Sequence, residues 1–358
     1  MSFHFMTDIE NNMIKEIQGL RAIAILFVIF VHLPVLLPPE YFVYWDTLNR
    51  SFVTITGVEL FFVIAGYFLI YSLDKIYTFN IESLIDFILK KFKRLAPAAY
   101  FWVTVALLFS LFTNNVDLWL TPNLMLEKFI STIIWLRNFN EAYSQTHLGY
   151  FWALSLEFQL FIVFAIVYYF IGRKYSIYLS VFLCFFMMFY RFGEPDVTWL
   201  FRFDSMLYGV LVYILIKNIN LEFIKERFGS TKLVISIVSV ILILCLAASE
   251  RTFGAYPNFK SSVASFISAI MLILALSNNG YFYCDMLGIN KITDWLASRS
   301  YSIYCCHIIS WCIVKQIVSF LGFSLSVYTV IIGIIFMFIA SEFTYRYVER
   351  LFINKNRE

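Results

Sequence analysis

Two histidines, His32 and His307, lie inside long apolar runs of this chain, where an ionisable side chain needs a reason to be. Arg21 precedes His32 by eleven residues, so at ~100° and 1.5 Å per residue the two share one helix face and stand about 16 Å apart along it. Histidine is the side chain best suited to take a proton from a hydroxyl near neutral pH, and arginine to hold an anion. A plainer reading stands beside this one. Arg21 also suits a topology anchor at a helix start, and His32 a helix-end residue bonded near an interface, because Pro34 and the Pro38-Pro39 pair soon end the run.

Other polar residues share the apolar setting. Glu59 lies in Gly57-Val58-Glu59-Leu60-Phe61-Phe62, and Glu157 in Trp152-Ala153-Leu154-Ser155-Leu156-Glu157-Phe158-Gln159. Each carboxylate is either functional or a structural partner of a basic neighbour such as Arg202 or Arg191, and Glu59 reads as the more structural of the two. His307 follows Ser300-Tyr301-Ser302-Ile303-Tyr304 and precedes Lys315; it either orients a substrate or satisfies a nearby carbonyl. The densest basic cluster, Lys90-Lys91-Phe92-Lys93-Arg94, suits both an anchor on anionic lipid and a phosphate site for a cytosolic nucleotide, and charge alone does not choose.

The elements that position these residues follow from composition. With 61% hydrophobic and 14% charged residues, the chain is not a water-soluble globule. Apolar runs near the ~20 residues that span a bilayer recur throughout, and they lack the ten-residue alternation of a barrel. The fold class expected is all-α: a polytopic bundle with spans at 17–37, 52–73, 97–113, 150–171, 175–191, 198–217, 233–248, 260–277, 300–322 and 325–347. Basic residues then collect on one side, at Lys15, Arg21, Lys75, Lys90 to Arg94, Arg173, Lys174, Lys217, Lys225, Arg227, Lys232, Lys291, Arg299 and the last turns. The other side keeps Arg50, Lys128, Arg137, Arg191, Arg251 and Lys260, so both termini are expected in the cytoplasm. The longest loop, Asn114 to Gly149, contains an apolar stretch at 126–136 too short to span, which suits an interfacial or re-entrant segment.

Several classes fall away. The six cysteines lie mostly in apolar runs without Cys-x-x-Cys spacing, so neither a disulfide framework nor a metal site is expected. The first run carries Arg21 and lacks a small-residue cleavage site, unlike a removed signal peptide. There is no glycine-rich phosphate loop, His-Glu-x-x-His or Gly-x-Ser-x-Gly, and no internal repeat of the kind inverted-repeat transporters show.

Six islands in register resemble the membrane-bound acyltransferase 3 family, which includes bacterial O-antigen and exopolysaccharide O-acetyltransferases. Arg21 and His32 reproduce its Arg-x10-His signature, and Gly57 to Gly66 resembles G-V-D-x-F-F-V-I-S-G with Glu59 for Asp and Ala65 for Ser. Lys91, Arg94 and Pro97 resemble R-x-x-R-I-x-P with lysine first. Trp152 to Gln159 resembles W-S-L-S-V-E-E-Q with Phe158 for the second Glu, and Ser300 to His307 resembles S-Y-S-L-Y-L-W-H with Cys306 for Trp. Tyr345 to Phe352 resembles Y-R-F-I-E-R-P-F with Leu351 for Pro.

The resemblance covers nearly the whole chain and implies one membrane-embedded acyltransferase domain over 1–358, with no fused soluble domain, in a bacterial inner membrane. It implies that acetyl-CoA (or another acyl-CoA) is the cytosolic co-substrate, with no metal. The acceptor implied is a hydroxyl of a cell-surface glycan such as O-antigen, capsule or exopolysaccharide, free or lipid-linked. Membrane lipid is the other partner, and no nucleic acid is expected. Arg21, Lys91 and Arg94 would bind the donor phosphates. His32 would act as general base or acyl-histidine nucleophile, with Glu157 as a candidate to orient it and His307 as a further catalytic residue. The loop Asn114 to Gly149, with His147 next to the fourth span, is the candidate for acceptor contact. A small-molecule or lipid acceptor, a glycan polymerase, and a transporter or flippase of glycan intermediates stay open as alternatives.

Overall fold

Apolar runs flanked by charge become helices, and the computed structural model describes residues 2–50, 52–76, 80–143, 146–189, 202–219, 221, 226, 231–253, 257–286 and 288–353. Among these residues eight helices are long and apolar enough to cross a membrane, and no strand occurs. In chain order the helices are α1 (Ser2–His32), α2 (Phe42–Asn49), α3 (Gly57–Asp74), α4 (Ile81–Phe112), α5 (Val116–Trp119), α6 (Pro122–Ile133) and α7 (Arg137–Tyr143). They continue with α8 (Trp152–Phe189), α9 (Asp204–Asn218), α10 (Lys232–Thr252), α11 (Pro257–Leu276), α12 (Ile289–Phe320), α13 (Val327–Thr344) and α14 (Arg350–Ile353). The chain is an integral membrane protein, and its outer surface agrees: Phe112 and Phe320, 83% and 86% exposed, would be costly in water and are at home in lipid.

The helices differ from the expected spans in instructive ways. The runs expected at 150–171 and 175–191 fall, as far as Phe189, on one helix broken at Gly172, whose φ of 72° takes the backbone out of helical geometry where a residue without Cβ can follow. Arg191 and the start of the next expected run lie outside the described residues; α9, 15 residues long, carries the rest of that run. Helix α4 begins well before 97. A reciprocal capping box between Asn80 and Ser83 nucleates it, and the amphipathic stretch that follows carries it through Pro97. The apolar stretch at 126–136 is mostly α6, which packs on α4 and stops where Trp135 turns left-handed at φ 59°.

Helix α12 is the axis of the bundle. Every residue from Ser302 to Cys312 is buried, which a helix achieves only when other helices surround it, here α1, α4 and α13. Helices α3 and α9 meet more closely still. A Cβ on Gly66 would lie 1.8 Å from the Met206 carbonyl oxygen, and one on Gly209 2.0 Å from that of Val63, so the two backbones touch.

Candidate active site

Helices α1 and α12 run parallel and are fastened at four levels. At the lowest, Glu16 accepts the backbone N–H of Gly280 and, at 2.8 Å, that of Phe282, just ahead of α12. Next, Arg21 Nη2 donates to Ser300 Oγ at 2.9 Å. Above that, His307 Nε2 stands 3.3 Å from His32 Nδ1. At the top, Lys315 Nζ donates to the Val35 carbonyl at 2.9 Å, beyond the 3-10 turn in which Pro34 ends α1. The eleven-residue spacing on α1 thus meets a seven-residue spacing on α12, and both place a polar group low and an imidazole high on the shared face.

The lower level opens into a cavity of about 320 Å³. Its polar wall is Arg21, Ser72, Lys91, Arg94, Glu157, Ser300, Tyr301 and Tyr304; Phe61, Phe62, Phe68 and Phe161 form much of the remainder. Lys91 Nζ lies 4.4 Å from the centroid of the Phe161 ring, a cation–π contact. Three cations share the wall with one carboxylate. Among the described residues no carboxylate oxygen comes within 4.0 Å of any of the three, so their charge is open to an anionic ligand.

The upper level is a two-histidine relay. His307 Nδ1 is 2.8 Å from the Tyr304 carbonyl and His32 Nδ1 is 2.9 Å from that of Val28, so in each neutral ring Nδ1 carries the proton. His307 Nε2 then presents a lone pair to His32 Nδ1–H, which leaves the lone pair of His32 on Nε2, the nitrogen available as a base. The Tyr150 ring packs against His307 with centroids 4.7 Å apart. Tyr304 joins the two levels, because it lines the cavity and its carbonyl holds His307.

A model of an acyltransferase domain matches residues 14–346. The chain belongs to the acyltransferase 3 family. It is similar to the O-acetyltransferase OatA of Staphylococcus aureus strains NCTC 8325 and COL, 25% identical over 357 residues, which cover 93% of this chain and 56% of those proteins. The chain therefore spans about half the length of the curated relatives it matches. No solved structure matches.

For this acyltransferase domain the structure groups the expected site residues in two sets: Arg21, Lys91, Arg94 and Glu157 around the cavity, and His32 with His307 above it. Glu157 stands among the cations; the groups bonded to His32 are His307 and the Val28 carbonyl. Glu59 forms a buried ion pair with Arg202 at 2.6 Å, which also donates to Ser261 Oγ at 3.1 Å. Where the family pattern has a second glutamate, Phe158 packs on Trp135 at 4.6 Å and Phe92 at 5.9 Å. No group of residues able to hold a metal occurs among the described residues.

Sequence reasoning missed one cluster entirely. In the loop before α8, Glu141 Oε1 takes Lys128 Nζ at 3.0 Å and Arg137 Nη2 at 2.9 Å, with all three side chains buried. Burial pushes the Lys128 ammonium below its ordinary pKa and the Arg137 guanidinium down to about 10, while Glu141 opposes both shifts. His147, on the same loop, bonds the Leu118 carbonyl at 2.9 Å through Nε2, and burial lowers its pKa as well. The one signal for this cluster in the sequence is the i,i+4 spacing of Arg137 and Glu141.

Proposed function

We propose that the protein is a bacterial inner-membrane O-acetyltransferase that carries acetyl from cytosolic acetyl-CoA to a hydroxyl of a cell-surface glycan. The observation that carries this reading is the seam of α1 and α12, with a cavity whose three cations have no carboxylate within 4.0 Å among the described residues at one level, and the two imidazoles on the same face above it. Arg21, Lys91 and Arg94 bind the donor phosphates, and the phenylalanine wall takes the uncharged arm that ends in the thioester.

His32 Nε2 removes the proton from the acceptor hydroxyl as its oxygen attacks the thioester carbonyl carbon. The carbon–sulfur bond then breaks, and the imidazolium returns the proton to the leaving thiolate. The Val28 carbonyl and His307 Nε2 both face the His32 Nδ1–H, so Nε2 stays the basic nitrogen and the imidazole is held in place. Glu157 limits the positive charge of the cavity, so that phosphates bind without being trapped there.

Ten crossings with both termini in the cytoplasm fit this chemistry: the eight long helices, one of them broken at Gly172, and the shorter α9 supply ten rods. The charge bias supports the same orientation.

The test is mass spectrometry of surface glycans from cells with the protein intact, deleted, or carrying His32→Ala, together with release of free CoA thiol by the purified protein in lipid nanodiscs. An acetyl increment that appears only with the intact protein is expected. Identical glycans in all three strains, with no thiol release on adding acceptor, would refute the reading and favour transport.

A further inference from the structure

Tyr150 touches every part of the histidine relay. Its hydroxyl donates to the Cys305 carbonyl at 2.7 Å, and its carbonyl accepts from Tyr304 Oη at 2.6 Å. Its ring lies 4.7 Å from His307 and 6.4 Å from His32, centroid to centroid. A ring so placed is a wall for both imidazoles, and its position depends on the backbone that delivers it.

That backbone is gripped from the loop. Glu141 Oε2 accepts the Thr146 N–H at 2.9 Å, and Arg137 Nη2 donates to the Leu148 carbonyl at 3.0 Å. Gly149 lies directly under the same carboxylate, since a Cβ there would sit 2.4 Å from Glu141 Oε2. The Arg137 N–H reaches forward to Ser155 Oγ at 3.3 Å, tying α7 to α8. Three of the four residues that lead into Tyr150 are thus held by two side chains that are 1% and 5% exposed. Neither lines the cavity or reaches the histidines.

We propose that Arg137 and Glu141 are positioning residues of the acyl transfer: they seat Tyr150 against His307 and so hold the His307 imidazole on the Nδ1 side of His32. Losing the Glu141 charge loosens 146–149 and leaves two cations buried without their carboxylate. The wall behind His307 then shifts, and the His32 Nδ1–H keeps the Val28 carbonyl as its acceptor but loses His307 Nε2. The kinetic half of this inference rests on the function proposed above; the spectroscopic half does not.

The experiment compares ¹⁵N-histidine NMR spectra and steady-state kinetics of the full chain in nanodiscs, wild type against Glu141→Gln and Tyr150→Leu. In the wild type both imidazoles report the Nδ1-protonated form. In both variants the His307 Nε2 and His32 Nδ1 resonances are expected to move as their contact is lost, with kcat down roughly tenfold and donor KM within about twofold, the pattern of lost alignment rather than lost binding. Should Glu141→Gln fail to fold, Gly149→Ala presses on the same carboxylate and stands in for it. Folded variants with wild-type histidine spectra and wild-type kcat would overturn the proposal. A wild-type protein that transfers no acetyl would overturn the proposed function alone, because the comparison of histidine spectra is still read.

Discussion

The cavity and the loop cluster use the same residue types to opposite ends. In the loop, Lys128 and Arg137 close on Glu141 at 3.0 and 2.9 Å, and in the first turn of α3 Glu59 closes on Arg202, just ahead of α9, at 2.6 Å. In the cavity, Arg21, Lys91 and Arg94 face Glu157 without closing on it. Charges that neutralise each other inside a bundle hold backbone segments in register. Charges kept apart leave their interaction energy to be completed by something that arrives, and a multiply charged anion is the ligand that completes three cations best.

Four experiments break or sharpen this contrast. The largest effect is expected from His32→Ala, which should lower kcat by roughly 10²–10⁴-fold while donor affinity, measured by titration, stays as it was. A fall in affinity instead would place the donor against the histidine. Next, Arg202→Met leaves Glu59 buried without its cation and should cost about 3–5 kcal/mol of stability, read as a lowered unfolding midpoint in detergent, with much of the loss recovered in the double variant that adds Glu59→Leu. Arg94→Ala should do the reverse: an unmoved midpoint and a donor KM raised roughly tenfold or more, the loss of one charge-assisted contact. If Arg94→Ala unfolds as readily as Arg202→Met, the cavity is structural and the contrast fails.

The smallest effect concerns pH. Burial lowers the pKa of His147, so between its folded and unfolded values the unfolded chain takes up a proton that the folded chain refuses. The stability this histidine contributes is therefore complete above about pH 6.5 and lost as pH falls below that toward the folded value. Between about pH 7.5 and pH 5.5 the wild-type midpoint should drop further than that of His147→Asn. Equal drops would mean that His147 is solvated like a surface residue.

Much of this was legible in the sequence, and the exceptions share a cause. Apolar runs and their basic flanks located the helices, and the shared face of Arg21 and His32 followed from helical geometry. The partner of His32 did not, because His307 is 275 residues away and only the register of α1 on α12 brings it close. Glu157 was recognisable as a polar residue out of place, yet its neighbours come from α1 and α4, which no local pattern reveals. Lys128 and Arg137 resemble ordinary loop cations until the chain folds back and buries them. The early start of α4 was hidden because Pro97 looks like the first residue of a helix, whereas the cap that begins it lies at Asn80.

The four fastenings between α1 and α12 have one more consequence. Because Arg21 and His32 ride on a single continuous helix pinned at both ends, the roughly 16 Å between them is a fixed length. The seam works as a gauge. On the function proposed above, a donor whose carrier arm is cut short would still anchor its phosphates at the foot of α1, but its reactive carbon would stop below the imidazoles, making it an occupant of the site rather than a substrate.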